Sequence, residues 1–431
     1  MLSSRHELLI IMPVMQILTL IIAGTLAGLA TGDEVLKEKD NWSTIDFAYA
    51  TEGDRLQALA DGSYVPENVI PNGISVWTNK MVFMSMPRRK KSGIPATLAY
   101  FSYDDLSTSP KLIPYPSFKD NNVSDCNNII SVNRGHRIDK YDRLWVLDYG
   151  KIGKGKDAEQ LCPPRIHIFD LNTSKKILMY TLKPTDYFPS SIFTSIVVDS
   201  GISSDDCWLY AADQIGIIVY SLKDNDSWRF DHPYCWPDPI SGDFNVAGLN
   251  FQWSKAGVYG LALSPLNSEG YKTLYFHPLA GFREFSVSTK ILQDKNKVNG
   301  NYHNFKKVGS REQPGHVSTQ VMTRNTGILF FNLIDKNALG CWNSNMLYKK
   351  DNLAIVAKDD EKMVFLSDTI IDGNDNLWTL SNRLPEYLND KMDFTKTNFR
   401  IFSAPVNDLV FNTACEPFLT SSPKMTSAIE N

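Results

Sequence analysis

Ile138-Asp-Lys-Tyr-Asp-Arg-Leu-Trp-Val-Leu-Asp148 and Ile370-Ile-Asp-Gly-Asn-Asp-Asn-Leu-Trp-Thr-Leu-Ser381 follow one plan. An apolar residue or two leads into a polar turn of Asp, Asn or Gly, and a second apolar run carries a tryptophan. Those turn residues tolerate tight hairpins. The plan recurs at Gly73-Ile-Ser-Val-Trp-Thr-Asn-Lys-Met-Val-Phe-Met84, and at Ser195-Ile-Val-Val-Asp199 with Cys207-Trp-Leu-Tyr-Ala-Ala-Asp213. It returns at Gly260-Leu-Ala-Leu-Ser264 with Thr273-Leu-Tyr-Phe276, and at Val321-Met-Thr-Arg-Asn-Thr-Gly-Ile-Leu-Phe-Phe331. Phe83, Trp145, Leu209, Tyr275, Phe330 and Trp378 mark the same place in each copy.

Six hairpins, with further strands such as Arg165-Ile-His-Ile-Phe-Asp170 and Gly216-Ile-Ile-Val-Tyr-Ser221, read as four-stranded sheets. Radial repetition of such sheets predicts an all-β, six-bladed β-propeller around a central channel. The anchors recur roughly every 60 residues, longer than the ~40–50 of common propeller repeats, so long loops join the blades. No long helical periodicity interrupts the strands, which disfavours an α/β nucleotide-binding fold. A large β-sandwich is the competing architecture.

Around that body lie the ends. Arg5 and His6 precede an apolar stretch from Leu8 to Ala30, and small residues lead to Asp33. This pattern predicts a secretory signal over residues 1–32, with an uncleaved anchor as the alternative. The propeller domain is expected over 33–420, and a disordered tail over 421–431. Of the 431 residues, 21% are charged and 11% aromatic, with a net charge of −4. That composition is globular and points to neither nucleic acid nor an anionic membrane surface. After signal cleavage the protein is expected to be extracellular and free of the membrane. Sequons at Asn41, Asn122, Asn172 and Asn225 fit glycosylation. The six cysteines (Cys126, Cys162, Cys207, Cys235, Cys341, Cys415) are widely spaced, which favours disulfides over a zinc site. No metal or cofactor is expected.

Five longer motifs resemble the insect yellow/major royal jelly protein family. They are Asp142-Arg-Leu-Trp-Val-Leu-Asp148, Cys162-Pro-Pro, His232-Pro-Tyr-Cys-Trp-Pro-Asp-Pro239, Ala338-Leu-Gly-Cys-Trp-Asn343 and Leu377-Trp-Thr-Leu-Ser-Asn-Arg383. Gly62-Ser-Tyr-Val-Pro-Glu-Asn68 and Ser92-Gly-Ile-Pro-Ala-Thr-Leu98 add to it, so the likeness runs from about Trp42 to Cys415. The resemblance implies a secreted six-bladed propeller. Roles in the family span cuticle pigmentation and melanin chemistry, dopachrome conversion, royal jelly nutrition, and amine binding by sand-fly salivary members. It also implies the pairs Cys126–Cys162 and Cys341–Cys415. The family's usual cysteine before Asp-Arg-Leu-Trp is Tyr141 here, so a bridge between Cys207 and the extra Cys235 is expected, with two free buried thiols as the alternative.

In a propeller the first strand of each hairpin lines the axis. That places Gly73/Ile74, Ser131/Asn133, Thr194/Ser195, Gly260, Ser318/Thr319 and Ser367/Asp368 at the hub. Small side chains there answer the crowding of converging strands, or else they line a site. Asp368 is the harder case, because a buried carboxylate needs a cation, donors or water. The sand-fly resemblance implies ligand contact at the positions of Ser367 and Asn382. The aromatic residues of those members are replaced here by Ile74 and Leu384. Phe193 remains as a ring on which a ligand could stack. The candidate ligand residues are therefore Ile74, Phe193, Ser367, Asp368, Asn382 and Leu384.

Catalytic signatures are sparse: there is neither His-Glu-x-x-His nor Gly-x-Ser-x-Gly. The near P-loop Gly150–Lys156 is followed by Asp157 and then Cys-Pro-Pro, so a hairpin loop is expected. His136 is the one candidate base. Three functional readings stay open: a non-enzymatic secreted yellow-type protein holding a small aromatic or biogenic-amine ligand, a dopachrome isomerase using His136, and a structural or developmental cuticle protein.

Overall fold

In the computed structural model, which describes residues 35–252 and 256–417, six four-stranded antiparallel sheets form a ring. The expected signal segment and tail lie outside the described residues. Blade 1 comprises Gly73–Trp77, Met81–Ser85, Leu98–Ser102 and Ile113–Pro114. Blade 2 comprises His136–Ile138, Arg143–Asp148, Arg165–Asp170 and Lys175–Thr181. Blade 3 comprises Phe193–Ser200, Cys207–Asp213, Gly216–Ser221 and Asp226–Asp231. Blade 4 comprises Val258–Leu263, Thr273–Pro278, Arg283–Ser288 and Lys306–Ser310. Blade 5 comprises Val317–Met322, Ile328–Leu333, Ala338–Asn343 and Leu353–Lys358. Blade 6 comprises Leu366–Ile371, Asn376–Ser381, Phe399–Pro405 and, from the other end of the chain, Lys37–Trp42. Each inner strand lies against the next, and blade 6 meets blade 1. The architecture is the six-bladed propeller that the repeats predict.

The six anchor residues all fall on second strands, which are sandwiched between blades and therefore read as continuous apolar runs. The repeated turn explains its own sequence. Asp139 accepts the Tyr141 and Arg143 amides on Oδ1 and the Trp145 indole N–H on Oδ2 at 2.8 Å. Asp372 does the same for Asn374, Asn376 and, at 3.0 Å, the Trp378 indole. Each turn then passes through a left-handed residue, Asp142 (φ 56°) or Asp375 (φ 57°), a conformation that Asp tolerates better than most residues. A single carboxylate thus shapes the hairpin and satisfies a buried indole, whose N–H left bare would cost ~1–3 kcal/mol.

Closure is also visible. Lys37–Trp42 pairs antiparallel with Phe399–Pro405, Trp42 opposite Phe399. The Trp42 indole donates to Pro110 O at 3.0 Å, and its ring meets Phe101 edge-on. The bridge Cys126–Cys162 ties the loop before blade 2 to that blade. Cys341–Cys415 ties blade 5 to the segment after the last helix, Val406–Val410.

Cys207 and Cys235 correct the expected third bridge: both are free and buried. Cys207 pairs with Ser200 at one end of blade 3, whereas Cys235 follows the strand whose Asp231 pairs with Gly216 at the other. The strand Cys207–Asp213 separates those ends by about 20 Å, far beyond disulfide reach. The sequons Asn122, Asn172 and Asn225 stand exposed on turns or loops, and Asn41 is half-buried on the outer strand of blade 6. The Gly150–Lys156 segment sits in a short hairpin formed by Lys151–Ile152 and Glu159–Gln160.

Candidate functional site

All six inner strands run the same way along the axis, so the hub has a leading end, where they begin, and a trailing end, where they finish. The two ends differ in character.

Side chains of blade 2 fill the axis at the leading end. Arg134, fully buried, donates Nε to Thr194 O of blade 3 at 2.7 Å and Nη1 to Ser367 O of blade 6 at 2.8 Å. Its guanidinium lies 4.1 Å from the ring centre of Tyr259, in blade 4. Beside it an amide relay links four blades. Asn382 donates to Pro71 O and Asn72 Oδ1, both at 2.8 Å. Asn72 donates to Asn133 Oδ1, and Asn133 to Phe193 O at 3.0 Å. Over this end, the hairpin formed by Asp243–Val246 and Leu249–Gln252 contributes Phe244, Val246 and Phe251 to one apolar cluster with Ile74, Leu279, Ile334 and Leu384.

Further along the axis, Asp368 is fully buried and has the partners its burial demands. Arg137 clasps it through Nη2–Oδ1 at 2.8 Å and Nη1–Oδ2 at 3.0 Å. The amides of Ile74 and Thr369 donate to it at 3.0 Å each. Such a two-pronged guanidinium–carboxylate pair fixes orientation as well as charge, and here it joins blades 1, 2 and 6.

The six residues expected to hold a ligand are thus distributed as follows. Ile74, Ser367, Asp368, Asn382 and Leu384 come together at the leading end, 0–2% exposed. Asn382 and Asp368 have their polar atoms engaged, partly by other blades and partly by the Leu384 and Thr369 amides of their own. Phe193 does not join them, because its ring packs between blades 2 and 3 with Trp145, Leu147 and Ile196. Blade 2 departs from expectation too. Its inner strand starts at His136 rather than near Ser131, because Asn133 and Arg134 turn their side chains across the axis. Gly73 and Gly260 are small for a steric reason. A Cβ on Gly73 would fall 2.5 Å from Ser85 Oγ and 3.0 Å from His136 Nε2, and one on Gly260 would fall 2.4 Å from His277 Cε1.

His136 is fully buried against Gly73, and neither ring nitrogen has a hydrogen-bond partner among the described residues. Burial and the Arg137 charge push its pKa down to about 3.

The trailing end carries the recesses. One, of about 630 Å3, is bordered by blades 2 to 6, including Arg137, Lys140, Val198, Leu263, Met322, Arg324 and Ile371. A second, of about 430 Å3, adjoins it at blades 1, 2 and 6 and shares Arg137, Lys140, Arg324 and Ile371. None of the six expected residues lines either recess. Arg134, Arg137, Lys140 and Arg324 were not singled out from sequence. The available signal was the run Asn133-Arg-Gly-His-Arg137, which puts two arginines on a segment that should meet the axis. Among the described residues, no group of His, Cys, Asp and Glu is placed to hold a metal ion, and no helix is long and apolar enough to cross a membrane.

A family model described as major royal jelly protein matches residues 130–415. The protein called Protein yellow in Drosophila melanogaster is 44% identical over 385 residues, covering 88% of this chain and 71% of that one. Its counterpart in Drosophila yakuba is 43% identical over 403 residues, covering 91% and 74%. Among solved structures, a streptogramin B lyase overlaps 79% of this chain and 95% of its own, with a TM-score of 0.41 and 10% identity.

Two outcomes follow. Asp368→Asn leaves Arg137 facing no carboxylate and should lower unfolding stability by ~3 kcal/mol, the low end for a buried pair because Arg137 keeps one edge in water. Adding Arg137→Met should recover part of that loss in denaturant titrations; simple additivity of the two substitutions would contradict the pairing. The second outcome concerns acid. An unfolded histidine takes up its proton near pH 6.5, whereas folded His136 resists down to about 3. Its contribution is therefore complete above about pH 6.5 and is lost as the pH falls toward 3. His136→Gln should flatten the fall of stability across that window.

Proposed function

The chain belongs to the major royal jelly protein family, and from that membership we propose a secreted, non-enzymatic yellow-type protein that serves cuticle pigmentation by holding a small aromatic ligand at the trailing mouth of its hub. The observation that carries the reading is the recess of about 630 Å3 ringed by five blades. Its size suits a small molecule, and its lining mixes apolar walls with a few charged groups, as ligand sites do. The ligand is thereby moved from the residues expected on sequence grounds to the opposite end of the axis. Passage through the secretory route fits the two disulfides and the sequons on exposed turns. Glycans are expected at Asn122, Asn172 and Asn225, with Asn41 the least accessible acceptor.

The isomerase reading depends on His136 as base. A ring whose conjugate acid ionises near pH 3 is a weak base at neutral pH, and one this deep is out of a substrate's reach. Binding is therefore favoured over turnover.

Dopachrome decay separates the two. Its absorbance should fall no faster with the protein than with boiled protein, and His136→Ala should change nothing. Acceleration that His136→Ala abolishes would replace this reading with the isomerase. For the pigmentary role itself, depleting the transcript before cuticle tanning should give paler cuticle; unchanged colour would contradict it.

A further inference from the structure

We propose that the trailing recess selects an anion: a small aromatic carboxylate, with its ring against the apolar wall and its carboxylate between Lys140 and Arg324. The proposal rests on the ligand-holding reading above and adds the ligand's charge and orientation.

Of the charged groups around the larger recess, three cations have carboxylates of their own. Arg137 is paired with Asp368 at 2.8 Å, Lys272 with Asp199 at 2.7 Å, and Arg143, just behind the lining, with Asp139 at 2.7 Å. These pairs cancel, and they leave no carboxylate of the larger recess free to receive an ammonium group. Lys140 and Arg324 remain. Both are exposed, and neither has an ion-pair partner among the described residues. Both also border the smaller recess, so they stand on the shared rim. Across that rim Asp142 and Asp372 accept the indole N–H groups of Trp77 at 2.9 Å and Trp378 at 3.0 Å. Lys80 lies on the same side, over the Trp77 ring. Asp142 and Asp372 have no cation of their own among the described residues, so at the shared rim three unpaired cations, Lys80, Lys140 and Arg324, outnumber two carboxylates and the balance is positive.

Beside the rim, Val198, Leu263, Met322 and Ile371 offer an apolar patch, among polar groups that include Ser264, Gln320 and Thr369. A flat ring buried there gains from the loss of apolar surface to water. Its charged end must then lie where Lys140 and Arg324 are. A carboxylate meets charge-assisted donors at that position. An ammonium group would meet two like charges and find no free acid in the larger recess.

The test is a matched pair of probes on the full secreted chain, indole-3-acetate and tryptamine, which share a ring and differ in the sign of the charge. Titration calorimetry at low salt should show binding of indole-3-acetate that weakens as salt is added, with tryptamine silent. Lys140→Glu/Arg324→Glu, both on the surface and checked for an unchanged circular dichroism spectrum, should weaken indole-3-acetate by about tenfold or more. Preference for tryptamine would overturn the anion assignment and leave the ligand-holding reading standing. Binding of indole-3-acetate that ignores the double charge reversal would overturn the assigned location. Silence from both probes at millimolar concentration would overturn the inference and the ligand-holding reading together.

Discussion

A guanidinium laid across the axis decides what this propeller can do. Converging inner strands leave a channel that is open in principle from end to end. Arg134 crosses it from blade 2, reaches carbonyls of blades 3 and 6, and rests on the ring of Tyr259 from blade 4. Burying a charge away from a carboxylate costs several kcal/mol unless dipoles and a polarisable face replace water. Two carbonyls and an aromatic ring do so for most of the group here, while Nη2 has no hydrogen-bond partner among the described residues. Arg137, three residues on, clasps Asp368 across the blade 2–blade 6 gap. One short segment therefore closes the tunnel twice and leaves a blind recess at the trailing end.

This closure divides the hub by task. The leading end carries an amide relay through Asn382, Asn72 and Asn133 under an apolar lid that includes Phe244, Val246 and Phe251. Its polar groups are engaged between blades, which is a structural use. The trailing end keeps exposed Lys140 and Arg324 beside a lining of mixed polar and apolar groups. Asn382 and Asp368 bond across blades, whereas these two cations have no ion-pair partner among the described residues.

Much of this was legible in the sequence, for physical reasons. The turn Asp-x-x-Asp-x-x-Trp is self-contained: the first aspartate bonds the turn amides and the indole, so two copies announce two blades. Apolar second strands declare themselves because both faces are covered. The need of Asp368 for a cation follows from burial alone. Its partner does not, since Arg137 is 231 positions away in the chain and is brought close only by ring closure. Arg134 hides for the same reason, as does the short inner strand of blade 2, which yields to the arginine and asparagine side chains before it. Cys207 and Cys235 show the converse error: they are near in sequence and belong to one blade, yet the length of a strand keeps them apart.

Arg134 seals the axis, and a high-resolution crystal structure of the full chain checks that seal. The guanidinium should be ordered across the hub, within hydrogen-bond distance of the Thr194 and Ser367 carbonyls, with water confined to the trailing recess. A continuous column of water through the hub, with Arg134 turned aside, would contradict it.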